Sequence, residues 1–103
     1  MNSTTNLTYN ENDVYWKKYQ RFFPEELRIN ENNMPTEEWW NWNGYHIHLD
    51  RMSAQGSKIK LIIIHGAGGN GRLFAPFARM LQIHGYDVVS PDLPPYGLSY
   101  TES

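Results

Sequence analysis

The apolar residues of this chain fall into groups of different spacing, and each spacing predicts a different element. Tyr15, Trp16, Tyr19, Phe22 and Phe23 recur at three- and four-residue intervals. They predict one helix with an aromatic stripe, capped by Asn12 or Asp13 and ended by Pro24. A single stripe is what a helix needs to pack onto a sheet, so it reads as core; a lid or partner-binding face is the functional alternative. Residues 1–11 are polar and without periodicity, and read as frayed. Glu25 to Ile29 adds a helical turn and Asn30 to Pro35 a loop. Two strand-like runs, Trp39-Trp40-Asn41-Trp42 and Tyr45-His46-Ile47-His48-Leu49, flank Asn43-Gly44. That pair predicts a hairpin, because both central residues of a type I′ turn need positive φ.

Leu61, Ile62, Ile63 and Ile64 form an unbroken β-branched run with no alternation, the pattern of a strand covered on both faces of a parallel sheet. Phe74, Phe77, Met80, Leu81 and His84 return to helical spacing. Pro76 suits the first turn of that helix, and Gly85 suits the position just past its end. Asp87 to Ser90 is a second short strand, closed by Pro91. Strand, crossover helix and strand make a right-handed βαβ unit. The expected fold class is therefore α/β: an antiparallel hairpin, then a parallel βαβ unit, with an amino-terminal aromatic helix. Residues 1–35 read as an amino-terminal extension and residues 36–103 as the α/β domain.

Composition narrows the function classes. Nine basic and eleven acidic residues, a net charge of −2, argue against a nucleic-acid or anionic-membrane partner. The absence of cysteine removes disulfides, thiolate metal sites and a thiol nucleophile together. Met1 to Thr8 has neither the basic segment nor the apolar core of a signal peptide, so a cytoplasmic setting is expected. No apolar run is long enough to span a membrane.

Two stretches carry candidate chemistry. On the second hairpin strand His46, His48 and Asp50 share one face. His-x-His-x-Asp resembles part of the metal motif of metallo-β-lactamase-like hydrolases. The further histidine of that motif is missing, however, and Arg51 sets a cation beside the would-be metal. The stretch reads as a solvated polar face, with no metal expected. The second is Gly66-Ala67-Gly68-Gly69-Asn70-Gly71, immediately after the aliphatic strand. Glycines there allow positive φ and bring backbone N–H groups close to a ligand. The stretch also satisfies G-x-G-x-x-G, with Asp92 at the end of the next strand, as in a dinucleotide-binding βαβ unit. Two points weigh against that reading. Its helix would start inside the glycines and place Pro76 one to two turns in, at a cost of roughly 3 kcal/mol. His65 also stands where a small apolar residue is usual. A P-loop fails because Leu73 cannot ligate magnesium.

His65-Gly66-Ala67-Gly68-Gly69 after an aliphatic strand resembles the oxyanion-hole motif of the α/β-hydrolase family. Downstream, Asp92-Leu93-Pro94-Pro95-Tyr96-Gly97-Leu98-Ser99 resembles that family's Asp-x-Pro-Gly-x-Gly-x-Ser segment, departing from it at Pro95. The resemblance covers about residues 39 to 100. It implies the amino-terminal part of an α/β-hydrolase sheet, with the fourth strand between the second and third. It further implies hydrolysis of a small-molecule ester or amide by a Ser-His-acid triad, without a cofactor. The Ala67 N–H, and next the Gly68 N–H, would be the oxyanion donors. His65, Gly66 and Gly69 would support the loop, with His65 no catalytic base. The nucleophile belongs to a G-x-S-x-G elbow on a fifth strand, which does not occur before Ser103, so the chain alone is expected to be inactive. An open third-strand edge makes self-association possible.

Overall fold

The computed structural model describes residues 7–12 and 15–102, with the backbone alone at residues 12 and 15. Five strands form one sheet: β1 (Thr36–Trp42), β2 (Tyr45–Met52), β3 (Lys60–Ile62), β4 (Asp87–Pro91) and β5 (Tyr100–Thr101). The order is β1-β2-β4-β3, with β5 on β2. β2 is antiparallel to β1 and β4, whereas β3 runs parallel to β4. The expected hairpin is present, with Asn43 at φ 47° and Gly44 at φ 81°, both left-handed as a type I′ turn demands.

A 3₁₀ turn over Gly71–Phe74 leads from β3 into helix α3 (Ala75–Ile83), so Pro76 lies in the first turn and takes no hydrogen bond from the helix. The helix ends in a Schellman motif. Gly85, at φ 94°, donates to the Gln82 carbonyl and the Tyr86 N–H to the Leu81 carbonyl. Among the described residues no helix is long and apolar enough to cross a membrane.

The amino-terminal segment departs from expectation. In place of one helix from residue 12 to 23 there are two single turns, α1 (Tyr9–Asn12) and α2 (Tyr15–Lys18), and 3₁₀ turns at Gln20–Phe22 and Glu25–Leu27. Asp13, one expected cap, lies outside the described residues, and Asn12 ends a turn instead of starting a helix. Helical pieces this short have no stability of their own, so tertiary anchors decide their path. The Gln20 amide donates to the Trp16 carbonyl and accepts from the Ile29 N–H, turning the chain back. Of the aromatic stripe, Trp16 is buried while Tyr19 and Phe22 are exposed. Tyr9, expected in a frayed end, is only 2% exposed.

Tyr9, Trp16 and Ile29 join Met52, Val88, Ala75 and Ala78 in one core cluster. The amino-terminal segment therefore lies on the same sheet face as α3. This corrects the expectation for β3. Leu61 and Ile63 are half-buried towards α3, but Ile62 and Ile64 remain 60% and 57% exposed. Burial alternates although the sequence does not, because no described element packs on the second face.

Candidate active site

The glycine stretch emerges at the carboxyl end of β3, where open α/β sheets bind ligands. His65, Gly66, Ala67, Gly68 and Gly69 form one tight turn. The Gly69 N–H donates to the Gly66 carbonyl at 3.1 Å, and Gly68, the third residue, sits at φ 81°. Negative φ at the second position and positive φ at the third define a type II turn, which favours glycine at the third. Ala67 and Gly68 are exposed, and among the described residues their N–H groups have no acceptor. Gly71 is required for a different reason: a Cβ there would collide with the Ser90 carbonyl.

His65 is buried and holds the turn from below. The Leu93 N–H donates to Nε2 at 2.8 Å, which leaves the ring proton on Nδ1 to bond the Gly66 carbonyl at 2.7 Å. Tyr96 packs edge-on against the same ring, with centroids 5.8 Å apart. Both ring nitrogens are engaged, so the imidazole clamps two loops together and has no free base.

The Asp-x-Pro segment proves to be a second clamp. Asp92 is fully buried; its Oδ1 accepts from the Gly71 N–H at 2.6 Å, and its Oδ2 from the Tyr9 hydroxyl at 2.7 Å and the Leu98 N–H at 3.0 Å. Gly97, at φ 61°, lies so near that a Cβ would strike Tyr9 and Asp92. Ser99 Oγ accepts the His48 N–H at 2.8 Å. The spacing of Asp92, Gly97 and Ser99 is thus explained by what each holds. With every Asp92 oxygen occupied, no acceptor remains for a ribose. Gly66, Gly68 and Gly69 also precede the 3₁₀ turn and α3 starts only at Ala75, so the glycines form no α-helix N-terminus for a pyrophosphate.

Beneath both loops runs a buried polar network that corrects the solvated reading of the second hairpin strand. His48 is 0% exposed and bridges two carboxylates, Asp92 at 3.2 Å and Glu37 at 2.6 Å. Arg72, 1% exposed, grips Asp50 through Nε and Nη2 at 2.5 and 2.9 Å, and its Nη2 also donates to Asn10. Its guanidinium lies over the rings of Trp16 and Tyr9. Burial alone would depress the His48 pKa. The hydrogen bonds to Asp92 and Glu37, with the charges of Asp92 and Asp50, instead raise it to about 9. Burial likewise opposes ionisation of Asp92 and Glu37, yet donors outweigh it and hold both below the usual carboxylate range. These are His48, Leu98, Tyr9 and Gly71 for Asp92, and His48 with the Tyr9 and Asn10 N–H groups for Glu37. Burial pushes the Asp50 carboxyl upward against the pull of Arg72.

Glu37, His48 and Asp50 bring ligand-type atoms within 4.8 Å of one another, but the set does not suit a metal. His48 spends both nitrogens on carboxylates, Glu37 accepts from the Tyr9 and Asn10 N–H groups, and the Arg72 guanidinium already occupies Asp50. Arg51, expected to be the disfavouring cation, points from the opposite face and pairs with Glu38. The cation that matters is Arg72.

Sequence reasoning thus found the turn but missed Tyr9, His48 and Arg72 as its foundation. The one local signal is Arg72, a cation placed directly after the glycines.

An antiparallel hairpin and a parallel βαβ unit in the order β1-β2-β4-β3, with a glycine turn after β3, form the amino-terminal part of an α/β-hydrolase sheet. Solved structures agree. A thioesterase domain from the curacin biosynthetic pathway is 30% identical over 69% of this chain, with a TM-score of 0.61. The epoxide hydrolase of Aspergillus niger covers 89% of the chain at 18% identity and TM-score 0.59. A haloalkane dehalogenase from Paraglaciecola agarilytica covers 74% at 18% identity and TM-score 0.58. The chain spans 25%, 23% and 27% of the lengths of these proteins, respectively. No protein-family model matches the sequence, and comparison with curated proteins gives no match.

Proposed function

We propose that this chain supplies the oxyanion turn of a serine α/β-hydrolase acting on a small-molecule ester or amide in the cytoplasm, and that it is inactive alone. The observation that carries the reading is the Gly66–Gly69 turn, with the exposed, acceptor-free N–H groups of Ala67 and Gly68 at the carboxyl end of β3. Donors fixed in this way act because negative charge develops on a substrate oxygen only in the transition state. Losing one typically costs about 3 kcal/mol of barrier. The turn stabilises an oxyanion but creates none; that needs a nucleophile, which the reading assigns to a serine elbow outside these residues, since the chain spans only 23–27% of its structural neighbours' lengths.

The test has two arms. The chain is assayed with activated short-chain esters, and turnover above buffer that Ala67→Pro abolishes would overturn the claim of inactivity. The coding sequence beyond residue 103 is then read in all three forward frames for an amphipathic helix, an aliphatic strand and G-x-S-x-G. In the longer product, Ala67→Pro removes one donor at a turn position that favours proline, so the fold persists while kcat falls about 100- to 1,000-fold. Unrelated downstream sequence in every frame, or an unchanged kcat, would overturn the reading.

A further inference from the structure

Away from the oxyanion turn, a cavity and a patch of positive charge meet in the amino-terminal segment. The cavity, about 410 Å³, lies between the amino-terminal turns and the start of α3 and falls within the ~300–1,000 Å³ range of small-molecule sites. Its walls are Trp16, Tyr19, Phe22, Phe23, Leu73 and Pro76. The polar residues of its lining are largely spent on the protein itself. Gln20 bonds the backbone of Trp16 and Ile29, and Asn70 Oδ1 caps the Leu73 N–H. The Arg72 side chain, tied to Asp50 and Asn10, has no exposed surface and offers the cavity no hydrogen bond. A polar ligand body would lose its hydration there without recovering hydrogen bonds, whereas an apolar one would not.

Charge gathers beside these walls. Residues 15–28 hold Lys17, Lys18, Arg21 and Arg28 against Glu25 and Glu26, a local positive excess in a chain whose net charge is −2. Two of the cations rest on the walls themselves. Arg21 Cζ stands 4.9 Å from the Phe22 ring centre, and Lys17 Nζ 5.6 Å from that of Trp16. Arg28 donates to the Phe23 and Arg21 carbonyls, which brings a third cation to the same edge. Lys17 and Arg21 are exposed, and among the described residues neither meets a carboxylate. Unpaired cations at the edge of an apolar hollow complement an anionic head on an apolar chain.

We propose that this cavity binds a single-chain amphiphile, its alkyl chain lying against Trp16, Phe22 and Leu73 and its carboxylate in water beside Lys17 and Arg21. The enclosed volume and the burial of Trp16 favour a single molecule over a lipid surface, which would need the indole outside. The inference uses neither the oxyanion turn nor a nucleophile, so it stands or falls separately from the hydrolase reading. It is tested on the ¹⁵N-labelled full chain with octanoate, octanol and octylammonium, which share a chain and differ in head charge. Octanoate should saturate with a Kd of about 1 mM and shift the Tyr19, Phe22 and Leu73 amides. Octanol should bind about fivefold more weakly and octylammonium about tenfold or worse, and added salt should narrow both gaps. Lys17→Glu with Arg21→Glu changes two exposed side chains that hold no hydrogen bond among the described residues. The double variant should reverse the order of the two ions and leave octanol unchanged. Octanol binding as tightly as octanoate, or a preference for octanoate that survives the double variant, would overturn the role of the two cations. Shifts at Ala67 and Gly68 in place of Phe22 and Leu73 would move the carboxylate to the oxyanion turn and overturn the site. Vesicles of phosphatidylglycerol are the lipid-surface arm: binding to them without saturable octanoate shifts, or no binding in either arm, would overturn the cavity as a site for a free amphiphile.

Discussion

The two faces of this sheet invert the usual expectation of what lies inside. One carries His48, Asp50, Ser90 and Asp92, all polar and all buried. The other carries Trp40, Trp42, Tyr45, Ile62 and Ile64, all apolar and all exposed, Trp42 at 72%. The register places these residues on common faces. Trp42 pairs with Tyr45 and Trp40 with Ile47, while Asp50 pairs with Ser90. The difference is which face has a layer packed on it. α3 and the amino-terminal turns cover the polar face, and its charges are admitted because each finds a partner. On the apolar face the central residues Leu49 and Val89 are shielded by their neighbours, but no described element covers its flanks. Hydrophobicity records what a face could bury; coverage decides whether it does.

The largest expected effect lies at the centre of the polar face. Asp92→Ala would strip the acceptor from Gly71, Leu98, Tyr9 and His48 at once. Breaking a buried, hydrogen-bonded charge typically costs 3–5 kcal/mol, a large share of the roughly 5–15 kcal/mol that holds a domain folded. Urea unfolding should show a midpoint lowered accordingly or no cooperative transition. A shift under 1 kcal/mol would mean that the clamp is not the keystone of this face.

Titration reaches the same face without mutation. His48 has a folded pKa of about 9, above the ordinary value near 6.5. Its contribution is therefore complete below about pH 6.5 and is lost as pH rises through about 9, a decline of about 3 kcal/mol. Asp92 and Glu37 behave oppositely. Their pKa values are depressed, so their contribution is present above the unfolded carboxylate range and disappears as pH falls through the folded values. Stability should peak near pH 5–6.5. His48→Gln should flatten the alkaline limb and also shrink the acid limb, because His48 is the leading donor to both Asp92 and Glu37; a parent curve already flat from pH 6.5 to 9 would place the His48 proton elsewhere.

A narrower cut removes one donor alone. Tyr9→Phe deletes the hydroxyl that reaches Asp92 across 83 residues, while leaving three other donors on that carboxylate. A loss of about 1.5–2 kcal/mol is expected from urea unfolding. Because Tyr9 ties the amino-terminal turn to the loop after β4, amide exchange at residues 9–12 and 97–99 should quicken together. Quickening at one end only would separate the segment from the site.

The sequence was legible where local chemistry dictates geometry. Asn43-Gly44 specifies its turn, Pro76 and Gly85 bracket α3, and the β3 glycines announce a backbone-presenting loop. Each is a backbone requirement met within a few residues. The polar face was not legible, because its logic is non-local. His48 is satisfied by residues 11 positions before and 44 after it, and Arg72 by Asn10, 62 positions away. Period-2 alternation places His46, His48 and Asp50 on one face but cannot say whether water or protein lies against it. The aliphatic run misled for the same reason: Leu61 to Ile64 suits two covered faces, and only one is covered among the described residues. The amino-terminal helix failed because its short turns take their path from Tyr9, Trp16 and Gln20, not from propensity.

The smallest stability effect should come from the opposite face, and it sharpens the contrast most. Ile62→Thr and Ile64→Lys alter side chains already mostly in water, so each should change unfolding free energy by no more than about 0.5 kcal/mol. The consequence should appear in association. β3 is an edge strand in the order β1-β2-β4-β3, and two exposed isoleucines forgo roughly 3–6 kcal/mol of burial that contact with another chain would recover. We expect the parent chain to self-associate with rising concentration in sedimentation velocity, and the double variant to remain monomeric at equal stability. A lysine beside an open edge opposes pairing by charge as well as by lost apolar area. If the variant lost several kcal/mol instead, Ile62 and Ile64 would be covered in solution and the inversion between the faces would not hold. If parent and variant were both monomeric, the face would be bare but too small to drive association.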